Sequence, residues 1–352
     1  MIGEIVAKSL GGEKLTGKEI AALFSVRLFS PGSAMIQAVA RQMSRDACKG
    51  MAEVHAQVGL NIALCPRNCL FCAFAARNNV FTERVNLSAE EAVERARQFE
   101  SDGANAIYVM TTADYSLEKF IEMSREIRAS LRSETVLVAN VGDFSAKEAR
   151  QLKDAGFAGI YHAVRLGEGR ATTIVPERRL ETFRNAKEAG LLLGTCVEPV
   201  GSEHTIEELV EKTIITRDAK PVYSGSARRI PIPNTALAQY DIVSEAKMAH
   251  ILAVVRLAVG YDISGNCTHE PNVVGAAAGA NLLWAESGAN PRDTEEETEG
   301  KRGMTVRECR TVFKEAEWGV LSGPSKFYST EPNVMHESLE EDTQAVAFKN
   351  VI

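Results

Sequence analysis

Between Gly59 and about residue 286, short apolar runs alternate with longer segments whose apolar residues recur at helical spacing. That alternation points to parallel strands joined by helices, because a parallel neighbour can be reached only through a long crossover. The strand candidates are residues 61–64, 106–110, 136–140, 159–164, 191–197, 227–233, 260–264 and 280–284. Several of the intervening helices announce their starts. Ser88/Glu91, Ser145/Glu148 and Thr205/Glu208 each spell a capping box, in which hydroxyl and carboxylate satisfy two otherwise unpaired backbone donors. They open helices 90–99, 146–154 and 207–213, with Gly103, Gly156 and Gly190 near C-terminal stops. Eight strands in about 225 residues predict a (β/α)8 barrel, an α/β fold of typically ~250 residues. The alternative, a doubly wound open sheet, would place a glycine-rich phosphate loop after the first strand. Here that strand runs into cysteines instead.

The flanks read differently. Residues 1–55 form an N-terminal helical cap, with Thr16/Glu19 boxing one helix and a second over 34–43. Residues 56–290 make the barrel. Residues 291–352 form a C-terminal extension with one helix at 305–318 and an acidic tail at 331–342. The chain of 352 residues is 45% hydrophobic and 25% charged, as in soluble globular proteins. Its net charge of −7 and lack of a dense Lys/Arg tract argue against nucleic acid. The most apolar stretch, 273–285, is too short and too rich in Gly and Asn to span a membrane. The first twelve residues carry no apolar run of signal-peptide length. Seven cysteines, three of them clustered, suit a reducing cytoplasmic compartment better than a disulfide framework.

The clustered cysteines are Cys65, Cys69 and Cys72, spaced C-x3-C-x2-C with Phe71 before the last. Three close thiols can hold three corners of a four-iron cluster and leave the fourth iron open, unlike a four-cysteine electron carrier. A zinc site would need a fourth ligand, usually from a second C-x2-C or H-x3-H pair, and the sequence contains no such pair. The spacing and the aromatic residue resemble the signature of the radical S-adenosylmethionine (SAM) superfamily. The resemblance implies an enzyme whose [4Fe-4S] cluster chelates SAM and, once reduced, splits it to a 5′-deoxyadenosyl radical that abstracts hydrogen from substrate. It also implies a low-potential ferredoxin or flavodoxin as electron donor.

Catalytic groups of barrels lie at the C-terminal ends of strands, so those ends supply the remaining candidates. Thr111 stands where members of this superfamily often carry a Gly-Gly-Glu-like turn for the SAM amino group. Arg165 and Glu168 are costly to bury singly but make sense together. The guanidinium fork would bind a carboxylate and Glu168 an ammonium or ribose hydroxyl, resembling the SAM-binding pair of the HydE type. Glu198, and Pro233 in the phrase Pro231-Ile232-Pro233-Asn234-Thr235, match segments that pack beside adenine. Cys196, Cys267 and His269 are candidates for substrate contact or an auxiliary metal, the two cysteines facing each other across the cavity. Against this, isolated cysteines are more often small buried hydrophobes. Cys48, Cys309 and His162 read as structural.

From about residue 15 to 290 the layout resembles the biotin-synthase-like branch, which includes biotin synthase, HydE, HmdB, methylornithine synthase and archaeal-type lipoyl synthases. Biotin synthase holds a second cluster with three barrel cysteines and an arginine. The matching positions here are Val109, Val138 and Thr195 or Cys196, and the arginine is missing. The resemblance therefore leans toward radical rearrangement of a small precursor in cofactor or metabolite biosynthesis. Sulfur insertion of the lipoyl- or biotin-synthase type, with a second iron–sulfur cluster here or on a partner subunit, is one alternative. A non-catalytic iron–sulfur carrier is another.

Overall fold

The computed structural model describes residues 1–329, so the expected acidic tail at 331–342 lies outside the described residues. Three helices open the chain, α1 (Ile2–Leu10), α2 (Gly17–Phe24) and α3 (Pro31–Ala47). Thr16 caps α2 in the expected box, its Oγ1 accepting from the Glu19 amide at 3.3 Å. Ser30 and Pro31 start α3 three residues earlier than the apolar pattern indicated, since proline at the first turn loses no intrahelical bond.

The barrel is built from β1 (Met51–Gly59), then β2 (Asn61–Ile62) paired with β3 (Val85–Asn86), α4 (Ala89–Ser101), β4 (Ala106–Met110), α5 (Leu117–Ser130) and β5 (Val136–Asn140). It continues with α6 (Ala146–Asp154), β6 (Gly159–Tyr161), α7 (Pro176–Glu188), β7 (Leu192–Gly194), β8 (Val197–Val200), α8 (Ile206–Asp218) and β9 (Tyr223–Arg228). It ends with α9 (Glu245–Val259), β10 (Gly265–Thr268), α10 (Val273–Ala277) and β11 (Leu282–Gly288). A final helix α11 (Val306–Glu315) and strand β12 (Gly319–Val320) follow. The parallel ring runs β1–β4–β5–β6–β7–β9–β10–β11 and closes where β11 pairs with β1. This is a closed eight-stranded barrel of the TIM type. No helix among the described residues is long and apolar enough to cross a membrane.

The first barrel strand corrects the sequence expectation. It is β1, beginning inside the segment expected to belong to the cap, while residues 61–62 form only a short antiparallel pair. In β1 the residues Ala52, Val54, Ala56 and Val58 join the outer core under the helices. The residues between them, Glu53, His55 and Gln57, are also buried and face the lumen, which masks the strand's apolar signature. β9 and β10 are likewise displaced from the expected 227–233 and 260–264. They read Tyr-Ser-Gly-Ser-Ala-Arg and Gly-Asn-Cys-Thr, with no apolar run, because the two strands approach closely. A Cβ on Gly225 would lie 2.1 Å from the Cys267 carbonyl oxygen.

Three packed regions hold the barrel. The outer core fills the space between the strands and α4, α5, α6 and α11. A second cluster joins α9 to α1–α3, so α9 is buried continuously from Met248 to Val259. The lumen is filled by Tyr108, Val138, Tyr161, Cys196, Tyr223, Cys267 and Trp284, with Phe327 and Tyr328 rising from the C-terminal extension. Glu53 fastens that extension beneath the barrel, accepting from the amides of Lys326 at 2.8 Å and Phe327 at 3.3 Å and from the Ser325 hydroxyl at 2.5 Å. The floor is therefore closed, and the opposite end of the barrel is open.

Candidate active site at the open end of the barrel

The cysteine loop leaves the C-terminal side of β1 and is shaped by its own backbone. The Cys65 amide donates to the Phe74 carbonyl at 2.8 Å, and the Cys65 carbonyl accepts from Ala76 at 3.1 Å. Asn78, buried behind the loop, donates through Nδ2 to the carbonyls of Cys69 at 3.0 Å and Cys72 at 2.9 Å. Asn68 adopts a positive φ of 51° at the tip, a conformation asparagine tolerates better than most residues. The loop is tied to the rest of the rim by the Ala73 amide, which donates to the Pro291 carbonyl at 3.0 Å, and by Leu70, whose amide donates to Ala171 at 2.8 Å.

All three thiols line one cavity of about 1200 Å³, counted out to its open mouth. Phe71, Thr111, Arg165, Glu198 and His269 line it too. Among the described residues no group of three or more His, Cys, Asp or Glu side chains is arranged around a single ion. Three thiols lining the same cavity are what the corners of a polynuclear cluster would require. Burial pushes all three thiols up, Cys72 to about 12, where the neighbouring Cys69 and Cys65 add to the effect. Without a metal these groups keep their protons at neutral pH. A cationic iron core, if held by these thiols, would supply the charge that releases them. Arg165 favours the Cys69 thiolate in the same way.

Arg165 has a different partner from the one its sequence neighbourhood suggested. Its Nε lies 3.6 Å from the Glu198 carboxylate. Against its burial, Glu198 foremost and then Glu168 hold the guanidinium charged. Glu168 does not line the cavity. Its Oε2 accepts from the Arg165 amide at 3.0 Å and from Arg179 Nε at 3.2 Å, and its Oε1 from the Thr172 hydroxyl at 2.7 Å. Arg179, on α7, lines the cavity and also reaches Asp143 at 3.2 Å. Asp143 in turn bonds His162 Nε2 at 2.9 Å. Burial depresses His162 to about 4, so the ring is neutral at pH 7.

Two other expectations are relocated. Pro233 is exposed and off the cavity, because β9 ends at Arg228 and the chain after it runs outward; Ile230 takes the lining position. Cys196 and Cys267 do face each other, with sulfurs 2.8 Å apart, but they lie in the aromatic packing of the lumen and do not line the cavity. His269, one turn of chain beyond Cys267, reaches the cavity without them. Val109 joins the outer core while Tyr108 occupies the lumen position of β4. Cys309 is buried on the inner face of α11 and Cys48 packs partly buried at the end of α3.

Several lining residues escaped the sequence reading: Gln57 and Asn140, bonded to each other at 2.8 Å, with Tyr161, Arg228, Arg229, Asn290 and Arg292. The last two belong to a network around Glu286 at the end of β11. Glu286 accepts from Asn290 at 2.8 Å and Arg302 at 2.7 Å, and lies 3.3 Å from His269 and 3.5 Å from Arg292. Its burial is opposed above all by Arg302 and then Arg292, which hold the carboxylate ionised. Burial, seconded by Arg292, pushes His269 down and keeps it neutral. A strand-end Glu-x3-Asn-Pro-Arg phrase was the available signal.

Comparison with known proteins agrees with this arrangement. The model of the Radical SAM superfamily matches residues 62–213. Biotin synthase of Carboxydothermus hydrogenoformans is 23% identical over 237 residues, covering 63% of this chain and 71% of that protein. Biotin synthase of Anaplasma marginale is 27% identical over 253 residues, 66% of this chain and 76% of the relative. In fold, the FeFe-hydrogenase maturase HydG from Carboxydothermus hydrogenoformans superposes with a TM-score of 0.74 at 20% identity, over 90% of this chain and 78% of its own. Methylornithine synthase (PylB) superposes at 0.73 and 16% identity, over 92% and 98%. With its cysteine loop at the mouth of a closed barrel, the chain carries over residues 62–213 a match to the Radical SAM superfamily and over about two thirds of its length a similarity to biotin synthases.

Proposed function

We propose that Cys65, Cys69 and Cys72 bind three irons of a [4Fe-4S] cluster and that SAM binds on the adjoining wall formed by Phe71, Thr111, Arg165 and Glu198. The observation that carries this reading is the convergence of the three buried thiols and the Arg165–Glu198 pair on one cavity. When bound, cluster and SAM supply one chemistry, reductive cleavage of the sulfonium and hydrogen abstraction by the 5′-deoxyadenosyl group. The protein's own contribution is placement and shielding. Asn78 pins the loop carbonyls, Arg165 offers its guanidinium to a carboxylate, and Glu198 accepts from an ammonium or hydroxyl. Met110, Phe74 and Ile174 give the cavity apolar walls that exclude water.

The substrate we infer is a small precursor in cofactor or metabolite biosynthesis, altered by radical rearrangement as in the HydE, HmdB and methylornithine synthase group. Supporting this, the lumen below the cavity is packed with aromatic rings, and its thiols among the described residues are Cys196 and Cys267. Similarity to biotin synthases favours a second reading, sulfur insertion, which needs a further iron–sulfur centre on this chain or a partner. A ferredoxin or flavodoxin in a reducing cytoplasm would supply the electron.

Anaerobically reconstituted protein should carry about four irons per chain by Mössbauer spectroscopy, change its EPR spectrum on SAM addition, and release 5′-deoxyadenosine with dithionite. Clearly more than four irons would replace rearrangement with sulfur insertion. An EPR spectrum indifferent to SAM, with no 5′-deoxyadenosine, would leave only an iron–sulfur carrier.

A further inference from the structure

Four residues that line the cavity carry a buried polar atom with no partner in the protein, Tyr161 Oη, Arg229 Nε, His269 Nδ1 and Arg292 Nη1, and the last two stand together. Both side chains line the cavity and both reach the same oxygen, Glu286 Oε1, at 3.3 and 3.5 Å. The two unsatisfied atoms therefore belong to neighbouring groups, within the span of one small ligand.

Their chemistry is set by what stands behind them. Glu286 is a carboxylate that can only accept, so the proton of His269 sits on Nε2, facing it. Nδ1 is then a bare lone pair, an acceptor waiting for a donor. Protonating it as well would place a second cation beside Arg292 with nothing on Nδ1 to receive its hydrogen. Arg292 is the opposite case. Its amide donates to Asn290 Oδ1 at 3.0 Å and its Nη2 leans on Glu286, leaving Nη1 as an uncommitted cationic donor. Arg302, a donor as well, shares Glu286 with it at 2.7 Å and offers it no acceptor. The His269 ring is held by Trp284, 5.2 Å away between centroids.

We propose that His269 and Arg292 form a substrate subsite for a carboxylate with an adjacent hydrogen-bond donor, the pairing carried by an α-amino or α-hydroxy acid. The carboxylate meets Arg292, and the ammonium or hydroxyl donates to His269. This rests on the radical SAM reading and adds the substrate class to it. The location suits the chemistry: Pro291, next to Arg292, accepts from Ala73, the residue after Cys72. A ligand on Arg292 is thus held beside the cluster loop. SAM also carries an amino acid group, but Arg165 and Glu198 already form a matching pair for it.

The test is calorimetric titration of anaerobically reconstituted holoenzyme saturated with SAM. The probes are L-norvaline and 2-hydroxyvalerate, their primary amides, and valerate, which keeps the carboxylate but lacks the neighbouring donor. At least one of the two acids binds, and its amide binds tenfold or more weakly. Valerate is weaker severalfold. Arg292→Gln erases the acid–amide difference, and His269→Phe erases the advantage of 2-hydroxyvalerate or norvaline over valerate. The acid–amide comparison in the unaltered enzyme needs no variant to fold. Acids and amides of equal affinity, no acid binding at all, or binding only when SAM is omitted would each overturn the subsite. If that happens while dithionite and SAM still yield 5′-deoxyadenosine, the subsite alone falls. If no 5′-deoxyadenosine forms, the underlying radical SAM reading falls as well.

Discussion

Glu168 separates two ways of building the SAM wall. By sequence proximity it is Arg165's natural companion, and substituting it would strip SAM of a direct contact. In the structure it is a buried brace, out of the cavity, engaged by Arg179, Thr172 and the Arg165 amide. In Glu168→Gln one carboxylate oxygen becomes an NH2 group. Turned toward Thr172, whose hydroxyl can accept, it leaves the remaining oxygen to serve the Arg165 amide and Arg179 Nε. What is lost is the charge opposite Arg179 and one acceptor. A charge-assisted bond contributes about 1.5–3 kcal/mol, and breaking a buried ion pair outright costs about 3–5 kcal/mol. Asp143 still holds Arg179 at 3.2 Å, so the lower part of that range, about 2 kcal/mol, is expected.

Urea unfolding of Glu168→Gln, Arg179→Met and the double variant measures this directly. The double variant should cost less than the sum of the singles by at least about 1 kcal/mol, the signature of contacting partners. Equilibrium dialysis with SAM on reconstituted enzyme gives the functional half. Glu198→Gln should weaken SAM tenfold or more, while Glu168→Gln weakens it only a fewfold through the loosened Arg165 turn. An additive stability cycle, or a Glu168→Gln loss of SAM affinity equal to that of Glu198→Gln, would refute the assignment.

Cys72→Ala should abolish iron retention and 5′-deoxyadenosine formation, whereas Cys309→Ala, on the buried face of α11, should keep its iron and lose about 1–2 kcal/mol of stability; iron analysis and urea titration distinguish them. Glu53→Ala removes the acceptor for the Ser325 hydroxyl and the Lys326 and Phe327 amides and leaves His55 Nε2, now 2.8 Å from it, unpaired. The loss should be about 3 kcal/mol, with the extension becoming sensitive to limited proteolysis; unchanged protease resistance would argue against the clasp. His162 is held near 4 against an unperturbed 6.5, so between those values the unfolded chain binds more protons and stability falls as pH falls. The contribution is complete above pH 6.5 and lost progressively toward pH 4, on the order of 3 kcal/mol; His162→Gln should flatten that part of the pH–stability curve.

What could be read from the sequence was whatever local chemistry decides. The capping boxes at Thr16, Ser88, Ser145 and Thr205 form as written, since hydroxyl and carboxylate need only each other and the first turn. Strands β4 and β5, apolar except for Asn140 at the end of β5, fall at the expected residues. β1 was hidden because Glu53, His55 and Gln57 are buried but polar, satisfied by partners far along the chain. Gly190 marked the end of α7, but its start and its buried face went unread for a related reason. Its buried face includes Arg179 and Thr182, and the arginine is buried only because Glu168 and Asp143 meet it there. The pairing of Arg165 with Glu198 depends on how the chain after β6 lies against β8, and the position of Arg292 on how the chain after β11 meets the cysteine loop. No local rule encodes that.

The charge layout of the open end explains why so many arginines can coexist there. Six arginines line the cavity with a single carboxylate, Glu198. An inner wall this cationic would repel itself unless each guanidinium were compensated from behind. Arg179 leans on Glu168 and Asp143, Arg228 on Glu270, Arg229 on Glu203, and Arg292 on Glu286, and none of those five acids lines the cavity. The shell is thereby close to neutral while its inner face stays positive. Low local dielectric strengthens the field that face presents to whatever enters. The proposed cluster, with its three thiolates, and the proposed anionic substrate would repel each other, and a positive inner face would let one cavity hold both. Lysines would be weaker substitutes, because only a guanidinium can fork onto its rear carboxylate and still offer a donor forward.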